Sequence, residues 1–382
     1  WLPSQLNAGD SIPPFLSNFT PSKMLSLNRE EMIRFVCERT DLFDAAGNQN
    51  PFSSSAWILH FLKNIAETDW TFFVPESRTD GESVMLLYSE RKAPHRRMAL
   101  TNYYASLYSP MISSARNKNI ALSQLIHQLA RSKPGCAVIN FSPLDQEAFD
   151  GISLRRAFSE YGWYTRKYFC FGNWYLPCAG LTFEEYMSQR PRQMYNTWVR
   201  KSNKFKKKQG ARLQIITDLS DTAMAMEIYH NIYSKSWKKP EPYPDFVTDW
   251  AKICAENGWL RLGIAWVDDV PIAVQFWFTV NGRAYIFKLA YDEEYSKWSA
   301  GTILSAHMIK YSLEKDRVIE IDYLTGDDNY KRSWMTHRRE RVGVLACNLR
   351  SPRGLAIAAT EFMGELSKRW RNRSSNIGPI HT

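Results

Sequence analysis

A carboxylate, Asp322, stands near the end of an apolar stretch, residues 318–324, that is predicted to be a strand. Alternate side chains of a strand share a face, so Asp322 is expected to face the same side as Glu320 and Leu324. A carboxylate at the C-terminal end of a strand is well placed to accept a proton or to hold an amine. The alternative is a structural role, in which Asp322 caps the next turn or pairs with Lys331.

The turn before a predicted helix is made of four small residues: Ser299, Ala300, Gly301 and Thr302. A helix N-terminus offers unpaired backbone N–H groups and a partial positive charge, and small side chains let a pyrophosphate approach them closely. Thr302 would add a hydroxyl group and Lys297 a positive charge. The alternative is an ordinary helix cap formed by Ser299.

The positive charge of the chain is concentrated in two places. The 49 basic and 39 acidic residues give a net charge of +10. Nine basic residues and no acidic one lie between Arg190 and Arg212, and a second cluster follows at Lys368, Arg369, Arg371 and Arg373. Such a cluster is typical of a surface that binds phosphates, RNA or an anionic membrane, and the simple alternative is a solvated helix face.

Several classes of protein are disfavoured by what the sequence lacks. The six cysteines form no CxxC pair and the seven histidines no HxxxH spacing, so neither a metal site nor a disulfide framework is predicted. Reduced thiols in a cytoplasmic setting are the simpler interpretation. The phosphate loop GxxxxGK[ST] and the nucleophile elbow GxSxG are also absent. No apolar run approaches the length of a membrane span.

The second half has a regular order of predicted elements. A helix over 182–209 carries the basic cluster, and a strand, two helices and three strands follow. The Asn-Gly pair at 281–282 is a strong signal for a two-residue hairpin, so the three strands are predicted to form an antiparallel meander. The small-residue turn, a helix and the strand that contains Asp322 come next.

This order resembles that of the GNAT acetyltransferase superfamily. Within it, the second half looks like the bacterial branch of cellulose or exopolysaccharide biosynthesis, which is related to the Fem-type aminoacyltransferases. Five short stretches carry the resemblance: residues 200–210, 267–273, 290–292, 299–302 and 322–334. Ala300 stands where the family usually has Pro, and the glycine-rich Q/RxxGxG/A loop of standard acetyl-CoA enzymes is absent. Acyl-CoA is therefore implied by the resemblance alone.

The resemblance implies a mixed α/β fold with tandem GNAT-like domains. We expect a flexible arm over residues 1–22, a degenerate GNAT-like domain over 23–177 and a GNAT acyltransferase domain over 178–375. The first half supports this organisation with a fainter copy of the helix and strand pattern, at residues 118–141. Its next loop lacks the Gly and Tyr-Lys residues, so this half is expected to frame the substrate.

The resemblance also assigns roles to individual residues. The proposed catalytic pair is Asp322 as base and Tyr330 as the acid for the leaving thiolate. The expected donor-binding residues are Lys297, Ser299, Ala300, Gly301, Thr302 and Lys331. The expected acceptor-binding residues are Trp237, Tyr243, Gln275 and Lys288. Simple packing of Tyr330, a salt bridge from Lys331 to Asp327 or Asp328, and an edge position for Lys288 are the alternatives.

Three functions remain open from the sequence. The first is an N-acyltransferase that uses acyl-CoA as co-substrate and a small-molecule amine or an amino sugar as acceptor. The second is an aminoacyl-tRNA-dependent transferase, because the basic cluster would suit an RNA acceptor stem. The third is a non-catalytic protein that binds nucleic acid or an anionic membrane between Arg190 and Arg212.

Overall fold

The computed structural model describes residues 24–78, 81–112, 118–132, 135–147 and 151–375. The arm expected over residues 1–22 lies outside them. Helices and strands both run through the described part, which confirms the predicted mixed α/β class. None of the described helices is both long and apolar enough to cross a membrane.

The strands of the described residues are numbered in chain order. They are β1 (Leu25–Leu27), β2 (Thr71–Val74), β3 (Glu76–Ser77), β4 (Ser83–Val84), β5 (Leu87–Ser89), β6 (Arg96–Ala99), β7 (Met111–Ile112), β8 (Val138–Asp145), β9 (Trp163–Pro177), β10 (Arg212–Ile216), β11 (Leu260–Val267), β12 (Val270–Val280), β13 (Arg283–Tyr291), β14 (Glu320–Asp322) and β15 (His337–Asn348).

The helices are numbered in the same way. They are α1 (Arg29–Cys37), α2 (Thr40–Gly47), α3 (Ser55–Asn64), α4 (Lys118–Arg131), α5 (Gly151–Ser159), α6 (Phe183–Ser188), α7 (Arg192–Lys206), α8 (Leu219–Ser234), α9 (Pro244–Glu256), α10 (Ala300–Glu314), α11 (Asn329–Trp334) and α12 (Pro352–Ser375), with 3-10 turns at Pro51–Ser53 and Glu293–Trp298.

Twelve strands form one large sheet in the order β1-β2-β5-β6-β8-β15-β9-β14-β13-β12-β11-β10, and β3, β4 and β7 form a small second sheet. The predicted meander is present as β11, β12 and β13, which pair antiparallel. Asn281 and Gly282 both have positive φ, 49° and 69°, as a primed two-residue hairpin turn requires.

Helices cover both faces of the meander. Helix α10 packs on one face and α8 and α9 on the other, with a separate apolar core under each. The approach of α10 is close at Gly263, where a Cβ would lie 2.5 Å from the Met308 sulfur. Gly263 therefore sets the distance between α10 and β11.

The predicted domain boundary at 177/178 does not coincide with a break in the sheet. Strand β14 of the second half pairs with β9 of the first, and β15 lies between β8 and β9. The C-terminal part of the chain thus returns to the first half, a long-range pairing that local sequence patterns do not encode. The division into two domains stays a prediction.

The helix predicted over 182–209 is two helices, α6 and α7. Pro191 occupies the N-cap position of α7. Proline has no backbone N–H and restricts the residue before it, so the first helix ends ahead of it. The break lets α7 and its basic residues run beside the 3-10 turn at Glu293–Trp298.

Candidate active site

The sheet opens between the parallel neighbours β13 and β14. Residues 283–285 of β13 pair with residues 320–322, and Leu324 then adopts a left-handed φ of 53°. Beyond this point a cleft of about 700 Å³ lies between residues 286–289 on one side and 323–325 on the other. Backbone N–H groups of β13 on this side lack a strand partner, so they are available to a bound molecule.

Four of the residues that the sequence assigns to the site line this cleft: Trp237, Lys288, Tyr330 and Lys331. Trp237 and Tyr330 are about half exposed. The Tyr330 ring lies 5.8 Å from the Tyr323 ring. Burial, and then the Asp328 carboxylate, raise the pKa of Tyr330 above its ordinary value. The phenol is therefore protonated at neutral pH, as an acid must be.

Lys288 is held by a partner that the sequence does not suggest. Its ammonium group lies 2.6 Å from a Glu241 oxygen, and both side chains are buried. Tyr104 donates a hydrogen bond to the other Glu241 oxygen at 2.9 Å. Burial alone would raise the pKa of Glu241, but Lys288, Tyr233 and Tyr104 lower it below its ordinary value. Tyr243 does not line the cleft, and its carbonyl accepts a hydrogen bond from Tyr104 at 3.4 Å.

Lys238 is a second lysine of the cleft wall, and it has no ion pair or side-chain hydrogen bond within the described residues. Its ammonium group lies 5.7 Å from the centre of the Tyr233 ring and 5.8 Å from that of Trp237. Burial, and then the positive charge of Lys288, lower the pKa of Lys238 to about 8. A lysine with this pKa is partly neutral near physiological pH and is able to accept a proton.

Lys331 holds the loop that precedes α11. Its ammonium group donates hydrogen bonds to the Thr325 carbonyl at 2.6 Å and the Gly326 carbonyl at 3.4 Å. It also lies 3.6 Å from the Asp328 carboxylate. The side chain is buried, so its hydrogen-bonding capacity is used within the loop, in agreement with the salt-bridge alternative.

Asp322 does not line this cleft and is not brought together with Tyr330. It is 2% exposed and accepts hydrogen bonds from Asn173 and from the Leu324 backbone, both at 2.6 Å. Arg339 donates to its second oxygen at 2.5 Å. Both carboxylate oxygens are occupied, as expected for the structural alternative. Leu324, which the sequence also places on the face of Asp322, has a left-handed φ of 53° and lines the cleft.

The four small residues lie at the start of α10, as the sequence predicts. Ser299 has a left-handed φ of 52° and makes no side-chain cap, so it is not an ordinary N-cap. Gln275 donates to the Gly301 carbonyl at 3.1 Å and to Ser305 at 2.7 Å. Trp277 donates to the oxygen of Gln275 at 3.0 Å. Gln275 thus fixes the first turn of α10 and does not line the cleft.

Tyr291 links the start of α10 to the cleft. The Tyr291 ring lies 4.6 Å from the ring of Trp237. A Cβ at Gly301 would lie 3.5 Å from the same Tyr291 ring, an ordinary contact distance. Ala300, Gly301 and Thr302 are therefore separated from the cleft by little more than one aromatic side chain.

The basic helix α7 lies beside this turn. Lys201 donates to the Lys297 carbonyl at 3.2 Å, and the Lys204 ammonium group lies 5.0 Å from the Trp298 ring centre. Three of the nine basic side chains have other roles: Arg190 is buried against Trp334, and Lys208 and Arg212 pair with Asp268 and Asp269. Six have no ion pair within the described part of the chain: Arg192, Arg200, Lys201, Lys204, Lys206 and Lys207.

Known protein families include one whose model matches the residues that form this arrangement. Residues 192–332, from α7 through the first half of α11, match the family model described as the acetyltransferase (GNAT) domain. This stretch is therefore similar to a GNAT domain. It includes the cleft between β13 and β14 and the turn before α10, while Tyr104 reaches the cleft from outside the matched residues.

Solved structures show the same fold around the GNAT domain. The crystal structure of FemX has a TM-score of 0.59 at 12% identity, covering 88% of this chain and all of that one. A protein of unknown function from Bacteroides thetaiotaomicron scores 0.55 at 11% identity, covering 82% and 97%. A C-terminal domain assigned to a lysylphosphatidylglycerol synthetase from Agrobacterium fabrum scores 0.52 at 12%, covering 86% and 96%. No curated protein sequence matches the chain significantly.

Sequence reasoning missed Lys238, Glu241 and Tyr104 as residues of the GNAT-domain cleft. Glu241 lies between two prolines, a context that suggests only a loop. Tyr104 comes from the first half, and its approach to Glu241 spans 137 positions of sequence. The spacing of neighbouring residues carries no signal for a contact between positions so far apart.

Proposed function

We propose that the chain is an N-acyltransferase that transfers an acyl group from acyl-CoA to the amine of a small molecule or amino sugar. The observation that carries the proposal is the cleft between β13 and β14, which opens beside the small-residue start of α10. A donor whose phosphates lie at α10 would direct its thioester past Tyr291 into this cleft. The family match to an acetyltransferase domain supports the same reaction class.

The residues of the cleft suggest how the protons move. The acceptor amine loses a proton to Lys238, attacks the thioester carbonyl, and the carbon–nitrogen bond forms. Unpaired N–H groups of β13 stabilise the oxyanion. The carbon–sulfur bond breaks, and Tyr330 protonates the leaving thiolate. Lys238 replaces Asp322 as the proposed base, since Asp322 is buried outside the cleft with both oxygens bonded.

A second candidate donor is aminoacyl-tRNA. Six basic side chains of the α7 region have no ion pair within the described residues, and two of them, Lys201 and Lys204, contact residues 297–298 next to the proposed phosphate site. An RNA acceptor stem would use such side chains. The resemblance of the sequence to Fem-type aminoacyltransferases points to the same donor. The cellulose or exopolysaccharide pathway stays a prediction.

Thermal-shift and transfer assays on the full chain distinguish the donors. We expect acetyl-CoA to raise the melting temperature, since ligand binding stabilises the folded state. Amine-dependent release of free CoA thiol should follow. If acyl-CoAs of several lengths neither stabilise the chain nor react, and the chain transfers an aminoacyl group from charged tRNA, the second donor would be established instead.

A further inference from the structure

A second cavity, of about 670 Å³, lies on the face of the sheet that carries Asp322. Its floor is polar across neighbouring strands, and its charged and phenolic residues are Arg283, Tyr285, Glu320, Asp322, Arg339, Arg341 and Asp145. Its roof comes from the first half, over residues 42–53 and 106–112. The middle of a covered sheet is normally apolar, so this floor requires an explanation.

All three carboxylates of the floor are already paired with two of its arginines. Arg339 pairs with Glu320 at 2.9 Å and with Asp322 at 2.5 Å, and Arg341 pairs with Asp145. Arg283 has no ion pair or side-chain hydrogen bond within the described residues. Arg283 is therefore the charged side chain of the floor that is free to bind an anionic group.

Several buried polar groups around the cavity have no hydrogen-bond partner in the described part of the chain. The Nε of Arg341 is buried and unpaired. Ser106 is 2% and Tyr285 6% exposed, and neither hydroxyl group forms a hydrogen bond with another described residue. The Tyr285 ring is fixed by stacking on Phe278 at 4.9 Å. Buried polar groups are nearly always bonded, so unpaired groups around one cavity indicate a bound molecule that pairs with them.

We propose that this cavity binds a small hydroxylated anion, a sugar that carries a phosphate or a carboxylate group. Arg283 binds the anionic group, and the hydroxyls of Ser106 and Tyr285 bond to the sugar hydroxyls. The cavity volume suits one such molecule. Guanidinium groups recognise both phosphate and carboxylate through paired hydrogen bonds.

The position of the cavity suggests that the bound sugar is the acceptor, an inference that depends on the proposed acyltransferase function. Tyr285 and Asp322, the last paired residues of β13 and β14, border this cavity. Phe287 and Leu324, two residues further along each strand, line the cleft of the GNAT domain. The two sites thus meet at the point where the strands separate.

Calorimetry on the full chain tests the binding site with glucosamine 6-phosphate, glucuronate and neutral glucosamine. We expect an anionic sugar to bind more tightly than glucosamine, and the better of the two identifies the anionic group. Arg283→Gln should weaken that binding by about tenfold or more, and Tyr285→Phe by about threefold. Arg34→Gln, a change at an exposed arginine of α1, is the matched control and should have no effect.

Equal binding of all three sugars, no binding of any, or unchanged affinity in a folded Arg283→Gln variant would overturn the proposal. Ser106→Ala is a second variant that changes the cavity without altering its charge. If the cavity proposal is right but the acyltransferase function is wrong, the outcome differs. Anionic sugars then bind and their binding depends on Arg283, but no acyl group is transferred. Transfer at normal rates by Arg283→Gln with an unchanged KM would instead remove this cavity from acceptor binding.

Discussion

Lys288 of β13 and Glu241 of the Pro-rich loop form a buried ion pair at 2.6 Å. This pair attaches the loop to the strand that forms one wall of the cleft. Glu241 lies three positions after Lys238, and its negative charge opposes the lowering of the Lys238 pKa. The loop geometry and the chemistry of the cleft therefore depend on the same contact.

Removing the carboxylate of this pair should destabilise the protein. Glu241→Gln leaves the buried Lys288 ammonium group without a counter-charge, which costs about 3 kcal/mol in comparable pairs. Chemical denaturation measures the free energy of unfolding, with the exposed Glu227→Gln as control. A Glu241→Gln protein as stable as the control would contradict the importance of the pair.

Stability should also depend on pH through Glu241. Its folded-state pKa lies below the ordinary value of 4.5, so the stabilisation is present above that value. It is lost as the pH falls through the lower, folded-state pKa. Melting curves of the wild type and Glu241→Gln should therefore converge in acid, and a constant difference down to low pH would argue against this linkage.

The pH dependence of turnover tests Lys238 as the base. Activity of the wild type should rise with an apparent pKa of about 8, since only neutral Lys238 accepts a proton. Lys238→Met should lower turnover about 10²-fold or more and remove this limb of the profile. Lys252→Met, at an exposed position of α9, should keep both rate and profile. An unchanged profile in Lys238→Met would exclude Lys238.

Donor binding tests the turn before α10. Gly301→Glu places a bulky negative charge where the donor phosphates are proposed to lie, so it should abolish acyl-CoA binding measured by calorimetry. Gly364→Glu adds the same charge on α12, where a Cβ meets nothing within 4 Å, and should bind normally. Unchanged donor affinity in folded Gly301→Glu would place the phosphates elsewhere.

Asp322→Asn separates a structural role from a catalytic one. A catalytic base would cost about 10²–10⁴-fold in turnover when replaced. The contacts of Asp322 with Arg339 and Asn173 predict instead a lower melting temperature with near-normal single-turnover rates in the folded protein. A large loss of rate at an unchanged melting temperature would restore the catalytic assignment.

Local sequence signals were sufficient to predict much of the secondary structure of the GNAT-like residues. The strands β12 and β13 form the predicted hairpin around Asn281 and Gly282, because the Asn-Gly turn and the apolar runs determine it together. The small-residue turn was also found at the start of α10. Each of these features depends on neighbouring residues, which is the information a single sequence contains.

Contacts between distant segments were not predictable in the same way. Asp322 fits the pattern of a catalytic carboxylate, but its partners Asn173 and Arg339 come from β9 and β15. The Lys288–Glu241 pair likewise joins a strand to a loop 47 positions away. The roles of these charged residues are decided by partners that only the folded sheet brings together.

Transfer of the acyl group itself is the most direct test of the proposed function. The purified full chain is mixed with stoichiometric acetyl-CoA and an amino sugar, and the product is followed by mass spectrometry together with the release of free thiol. We predict an N-acetylated sugar formed in step with the thiol, and loss of both in Gly301→Glu. No product from any acyl-CoA, while the chain remains folded and binds the donor, would contradict the account.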